Sequence, residues 1–241
     1  MPLRNIKPLH ILWQQSALVG MLDGVIRGIV GVLSLAGVLQ NFQLKYFCQR
    51  RQRDWLSPTG RLNPYQSLDW HIWWAGNAHN SKLAGHLNST ALLNSLGENP
   101  AHATDPRYEL VVVNEPLHWH ATSLRKVGGI GRCGQGAIIT VGNYLHLLQP
   151  VTGESDKEKE KRQFDFSLAT RMLTMHELGH VFGLFPGTGK KNPTDEELKE
   201  AHCLNECVMH WKEDSDLERK IKDRPFCPSC LEKLKQFFIK P

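Results

Sequence analysis

A chain of 241 residues, 41% hydrophobic and 22% charged, has the make-up of an ordinary globular protein, which excludes wholesale disorder. Its length allows a full core in one domain, or in one domain with an appendage. The net charge of +5 is mild, and the basic run from Lys45 to Arg61 has no nucleic-acid motif beside it, so it reads as a solvated face and no nucleic-acid partner is expected.

In chain order, "LHILWQ" (9–14) predicts a buried strand, and residues 17–39 carry apolar side chains at helical spacing. Gln14, Gln15, Asp23 and Arg27 interrupt this apolar segment, so its longest uncharged run falls short of the roughly 20 residues that span a bilayer. No small-residue cleavage site marks a signal peptide. A buried strand and helix are expected, with no membrane role. "NFQLKYF" alternates Phe42, Leu44 and Tyr46 as a strand does, and residues 48–80 read as a loop-dominated excursion. "STALLNSL" (89–96) predicts a short helix capped by Ser89 or Thr90.

"YELVVVNEP" (108–116) has the continuous apolar run of a central strand covered on both faces. The Gly-rich "KVGGIGRCGQG" (126–136) lacks the strand-to-helix context and the Lys-Ser/Thr ending of a phosphate loop, and reads as a loop with an exposed edge strand. "AIITVGNYL" (137–145) predicts another strand. Together these two stretches are expected to line a cleft where an extended peptide could add to an edge. "TGESDKEKEKRQ" (152–163) reads as a charged surface loop, and residues 167–184 as a helix. This order predicts an α/β fold with a twisted, mixed sheet packed on the helices near 17–39 and 167–184.

The chemistry concentrates in "MHELGHVFGLF" (175–185). His176 and His180, four residues apart on a helix, share one face and can share one metal ion, and Glu177 lies beside them as a general base. A third ligand is needed. Position 186 is a proline, which cannot bind metal, but "AHCLNECVMH" (201–210) supplies His202. Removing residues 186–201 would place His202 three residues after Gly183, so one sixteen-residue insertion explains the interrupted spacing. The insertion opens with Pro and Gly and ends in a short helix, Thr194 to Ala201. It is expected to form a lid or cleft wall, and its deletion to leave zinc in place.

Four of the six cysteines, Cys203, Cys207, Cys227 and Cys230, form two close pairs near the end of the chain. That pattern suits a metal knuckle better than a disulfide frame, and points to a reducing, cytoplasmic setting. Cys48 and Cys133 read as buried thiols. His118 and His120 flank Trp119 and could share a strand face, but ordinary structural roles are expected for them.

Taken with the insertion, the series His176-Glu177, His180, Gly183, His202-Cys203, Cys207-Val208-Met209 and Cys227-x-x-Cys230 resembles the archaemetzincins, a metzincin subfamily of zinc peptidases. The resemblance is strong over residues 167–235 and weaker upstream. It departs from the family in the insertion and in a three-residue gap between Cys203 and Cys207, where four is usual.

The resemblance implies one metzincin-like catalytic domain over 1–241. An N-terminal subdomain would cover about 1–183, and a C-terminal one about 184–241 would hold insertion 186–201 and the knuckle 203–230. Two zinc ions per chain are expected. One would be catalytic, on His176, His180 and His202, and keep a position for water. The other would be structural, on the four cysteines. Gly183 would turn the chain beneath the metal, and Met209 would be an apolar floor rather than a ligand. Glu177 would take a proton from water and pass it to the leaving amine. The partner is a peptide or protein substrate, and the chain is expected to act as a monomer.

Three alternatives stay open on the sequence. His210 is another nearby candidate for the third ligand. Glu200, twenty residues after His180 and behind a helix-like segment, would be the third ligand of a gluzincin, although position 204 is Leu where an Asp belongs. The chain could also be a zinc-stabilised peptide-binding module that no longer cuts.

Overall fold

The computed structural model describes residues 3–14, 22–48, 68–77, 81, 83–97, 105–120, 123–185, 194–210 and 221–239. A five-stranded sheet has the order β2-β1-β4-β8-β7, built from Leu44–Cys48, Leu9–Trp13, Tyr108–Val113, Gly136–Thr140 and Gly129–Arg132. β2, β1, β4 and β8 run parallel, and β7 closes one edge antiparallel to β8. A second sheet of three strands places β3 (Leu87–Asn88) beside β5 (Leu117–His120) and β5 beside β6 (Ser123–Val127).

Helices cover both faces. Alternation along β4 sends Tyr108, Leu110 and Val112 to one apolar cluster and Val111 and Val113 to another, which is why this strand reads as unbroken apolar sequence. The first cluster packs on α1 (Asp23–Leu35), α4 (Asp156–Val181) and α6 (Pro228–Ile239). The second packs on α2 (Leu68–Gly76) and α3 (Ser89–Gly97). Near the start of β4, Arg107 donates to Glu109 at 2.9 Å inside the protein, and His10 of β1 lies in register with Glu109.

α1 and α4 approach closely along a glycine seam. A Cβ at Gly24 would stand 2.4 Å from the Ser167 carbonyl oxygen, and one at Gly28 only 2.7 Å from that of Arg171. The apolar N-terminal helix therefore lies against the motif helix. Among the described residues, no helix is long and apolar enough to cross a membrane.

Several elements differ from the sequence expectation. The helix expected over 17–39 spans 23–35 among the described residues, with 15–21 outside them. The strand expected at 137–145 ends at Thr140 and gives way to a 3₁₀ helix, Gly142–Leu148. The exposed edge strand expected in the Gly-rich stretch is β7. The charged stretch 152–163 is largely helical. Ser155 caps α4 through a capping box with Glu158, and Arg162 donates to the Leu147 carbonyl at 2.6 Å while pairing with Glu154. Lys and Glu are good helix formers, so their charge marked an exposed face and not a loop. Asn88, not Ser89 or Thr90, caps α3, its Oδ1 accepting from the Ala91 N–H at 3.0 Å. The excursion 48–80 contains α2, and most of the basic run lies outside the described residues. Cys133 is exposed rather than buried, and the Cys48 side chain lies outside the described set.

Candidate metal centre

α4 carries His176, Glu177 and His180 on its C-terminal turns and ends at Val181, where Gly183 reverses the chain with φ of +83°. A Cβ there would meet the Phe237 ring at 2.8 Å, so the turn is both left-handed and tightly covered. The chain returns through α5 (Asp195–Glu200), capped by a Thr194–Glu197 capping box, and brings His202 back to the helix. Residues 186–193 lie outside the described set.

The ring nitrogens of His176, His180 and His202 lie within 4.8 Å of one another, and the Nε2 atoms of His176 and His180 are 3.1 Å apart. Each Nδ1 faces a backbone carbonyl, which can only accept, so each Nδ1 carries the proton. His176 donates to Val208 at 2.7 Å, His180 to Phe185 at 2.6 Å and to Leu184 at 2.9 Å, and His202 to Leu198 at 2.6 Å. Three Nε2 lone pairs are thereby aimed at one point. Burial, with the neighbouring His180 and His202, holds His176 well below the usual imidazole range. Burial and His202 bring His180 down to about 4, and burial lowers His202. All three rings are therefore neutral at pH 7, the form that binds metal.

Glu177 is buried at 5% exposure and faces a cavity of about 460 Å³ that the three histidines also line. The segment from Arg125 to Gly131 lines it as well, and Leu198 and Ala201 close one side. The second half of the insertion is thus part of the cleft wall. His210 lines the cavity, but its ring nitrogens are not in the converging set, and its backbone pairs with Cys203. Glu200 is exposed on α5 and is likewise outside that set.

Sequence reasoning passed over three glycines here. A Cβ at Gly129 would come 2.7 Å from Glu177 Cγ, and one at Gly131 would come 2.4 Å from the Glu177 carbonyl oxygen. These alternate residues give β7 a bare face on which α4 sits. A Cβ at Gly179 would stand 2.4 Å from the Met209 sulfur, so the motif's own glycine makes room for that fully buried side chain. Glycines two apart in a strand, and a small residue inside the motif, were the available signals. His118 is fully buried, its Nε2 3.0 Å from Ser81 Oγ, in keeping with a structural role.

The four thiols of Cys203, Cys207, Cys227 and Cys230 also converge, their sulfurs within 4.8 Å of one another and none joined in a disulfide. Cys203 and Cys227 sulfurs are 3.7 Å apart. The Cys230 thiol, together with backbone N–H groups, lowers Cys207 to about 5 and favours a thiolate. The short Cys203–Cys207 gap therefore does not keep the four apart.

No family model matches the chain. In sequence it is 41% identical over 63 residues to an archaemetzincin of Pyrococcus horikoshii, covering 26% of this chain and 24% of that protein. It is 32% identical over 119 residues to an archaemetzincin of Pyrococcus furiosus, covering 48% of this chain and 49% of the relative. The chain thus matches about half the length or less of these curated relatives. In fold it is similar to the crystal structure of an archaemetzincin from Methanopyrus kandleri, with a TM-score of 0.58 at 22% identity over 98% of both chains. In sequence over part of its length, and in fold over nearly all of it, the chain is similar to the archaemetzincins.

Proposed function

We propose that the chain is a zinc-dependent peptidase acting on peptide or protein substrates, with Glu177 as general base. The observation that carries this reading is the convergence of three neutral, pre-oriented imidazoles beside Glu177 on the wall of one cavity. Two nitrogens on a tetrahedral zinc stand about 3.3 Å apart, against 3.1 Å for His176 and His180 here. Two zinc-bound sulfurs stand about 3.8 Å apart, against 3.7 Å for Cys203 and Cys227.

His176, His180 and His202 would hold the catalytic ion, and the four cysteines a second, structural one. The catalytic ion would supply Lewis acidity, activating water and polarising the peptide carbonyl. Glu177 accepts a proton at its carboxylate and returns it to the leaving amine. β7 offers an edge to an extended substrate, and the buried surroundings of Glu177 limit bulk water around that transfer. Met209 packs beneath the helix as the floor of the site.

The test is turnover of a quenched peptide pool by the zinc-loaded protein. Glu177→Gln should keep the metal and reduce turnover by about 10²- to 10⁴-fold. Equal turnover by the two proteins would remove Glu177 from the chemistry. Peptide binding with no turnover in the wild type would favour the non-cutting binding module. Metal lost in Glu200→Ala but kept in His202→Ala would favour the gluzincin arrangement.

A further inference from the structure

The cavity that holds the three histidines and Glu177 is also lined by Trp119, a large aromatic residue that the proton transfer does not use. Its place on β5 fixes the direction of the indole. His118, just before it, is fully buried and its Nε2 lies 3.0 Å from Ser81 Oγ. Neighbours on a strand point to opposite faces, so Trp119 faces away from that pair. The register shift between His118 and His120 does not disturb the alternation. It sets Trp119 alone on β5 against positions 124 and 125 on β6, so the extra residue belongs to β6. Leu117, two positions before Trp119, shares its face, and so does Val127, the register partner of Leu117. Val127 lines the cavity as well.

The indole is not core packing. Leu117 belongs to the second apolar cluster and Val127 packs against it, but among the described residues half-buried Trp119 packs on neither cluster. Its backbone is nevertheless held, the carbonyl accepting from Ser89 Oγ at 3.1 Å and from Thr90 Oγ1 at 2.5 Å. A fixed strand therefore carries an aromatic surface to the same cavity as the base.

We propose that Trp119, with Val127 beside it, forms an aromatic subsite that selects peptides carrying a Phe or Tyr side chain close to the cleaved bond. This rests on the peptidase reading above. An extended peptide sends successive side chains to opposite sides, so one lying in the cavity presents a side chain to this wall. Against an indole, a second ring gains an offset-stacked or edge-on contact beyond the apolar area it buries. The wall is mounted on a held backbone before the peptide arrives, so less ordering opposes docking.

The experiment measures binding and cleavage separately. Three labelled hexapeptides, identical but for a central pair of Phe, Ala or Lys, are titrated into the zinc-loaded Glu177→Gln protein. The Phe peptide should bind about tenfold more tightly than the Ala peptide, as one buried aromatic contact implies. Adding Trp119→Ala should bring the two within about threefold of each other, and Trp119→Phe, which keeps a ring, should restore most of the preference. Trp119→Leu keeps apolar bulk without a ring and carries the same test if the alanine variant folds poorly. With Glu177 intact, Trp119→Ala should raise KM for the Phe peptide and leave kcat unchanged, as loss of uniform binding does. A preference for Phe that persists in the Ala or Leu variant overturns the subsite, and so does a Lys peptide that binds as tightly as the Phe peptide. Wild-type cleavage of the Phe and Ala peptides with equal KM also overturns it while leaving the peptidase reading intact. A Trp119-dependent preference for Phe with no cleavage of any peptide supports the subsite and sinks the peptidase reading instead.

Discussion

The ring of His176 reaches thirty-two positions along the chain to donate its Nδ1–H to the carbonyl of Val208, at 2.7 Å. Val208 is fixed in turn. Its N–H donates to Pro225 at 2.6 Å, and its neighbour Met209 donates to Cys207 Sγ at 3.4 Å and accepts from the Cys203 N–H at 2.9 Å. The ring of His176 is thus oriented by the cysteine-bound turn, and His202 enters that turn directly, next to Cys203.

The cysteine cluster should accordingly control metal affinity at the histidine site. Cys227→Ser is expected to lower affinity for the catalytic ion by about 10- to 100-fold, the usual cost of losing outer support for a ligand. It should also unfold the C-terminal part, since metal-binding energy there is folding energy. A chelator that strips the histidine site should leave the helical signal in place. Zinc titrations of both proteins, read with circular dichroism, check this, and equal helix loss on removing either ion would defeat the division of roles.

The bare face of β7 should be intolerant of side chains. Gly131→Ala puts a methyl 2.4 Å from the Glu177 carbonyl oxygen and 2.9 Å from His180 Cβ, so α4 must shift. A shift near 1 Å at the reacting groups costs about 100-fold in rate. Gly134→Ala is the control, since a Cβ there meets nothing within 4 Å, although its φ of +75° adds local strain. Turnover measured beside thermal stability separates displacement from unfolding.

Deleting residues 186–201 restores the uninterrupted spacing, and the sequence suggested that zinc would survive the change. The structure argues otherwise, because the Leu198 carbonyl that holds His202 Nδ1 at 2.6 Å is inside the deleted segment. The deletion variant should bind the catalytic ion about tenfold more weakly or worse. Wild-type affinity in a zinc competition assay would make that carbonyl dispensable.

Acid should destabilise the fold through two histidines far from the centre. Burial brings both His10 and His71 from the usual 6.5 to about 4, with Arg107 also lowering His10 and Glu109 opposing the shift in each. Above 6.5 neither the folded nor the unfolded state is protonated at these rings. Between 6.5 and about 4 the unfolded chain takes protons that the folded one refuses, so stability falls as pH falls through that window. Thermal melts from pH 7 to pH 4 should show the loss, and His71→Asn should make the pH dependence shallower.

Much of the centre was legible because its residues sit at helical spacing or at fixed offsets from a glycine. His176, Glu177 and His180 follow from one turn of helix, and His202 from recognising the insertion. The partners that aim the rings were not legible, because they are carbonyls of Val208, Leu184, Phe185 and Leu198, and a carbonyl leaves no mark in the side-chain sequence. The strands of the parallel sheet were readable from their apolar runs. α4 was cut short because its first three turns are charged, and charge reports exposure, not backbone conformation. The 3₁₀ helix after β8 was read as strand because Val141 continues the apolar run of Ile138 and Ile139.

The glycine seam between α1 and α4 makes the motif helix a fixed beam, with backbone pressed on backbone at Gly24 and Gly28. Among the described residues, the other side of the cavity has no such brace: α5 is six residues long and its Leu198 meets the cavity directly. Any widening of the mouth is therefore taken up on the α5 side. His202 is tied to that side by the Leu198 carbonyl, so it travels with the wall that moves. His176 and His180 stay with the beam, and His202 shares the fate of the doorway. A bulky group entering the mouth and a spreading of the three imidazoles are, in this architecture, a single displacement.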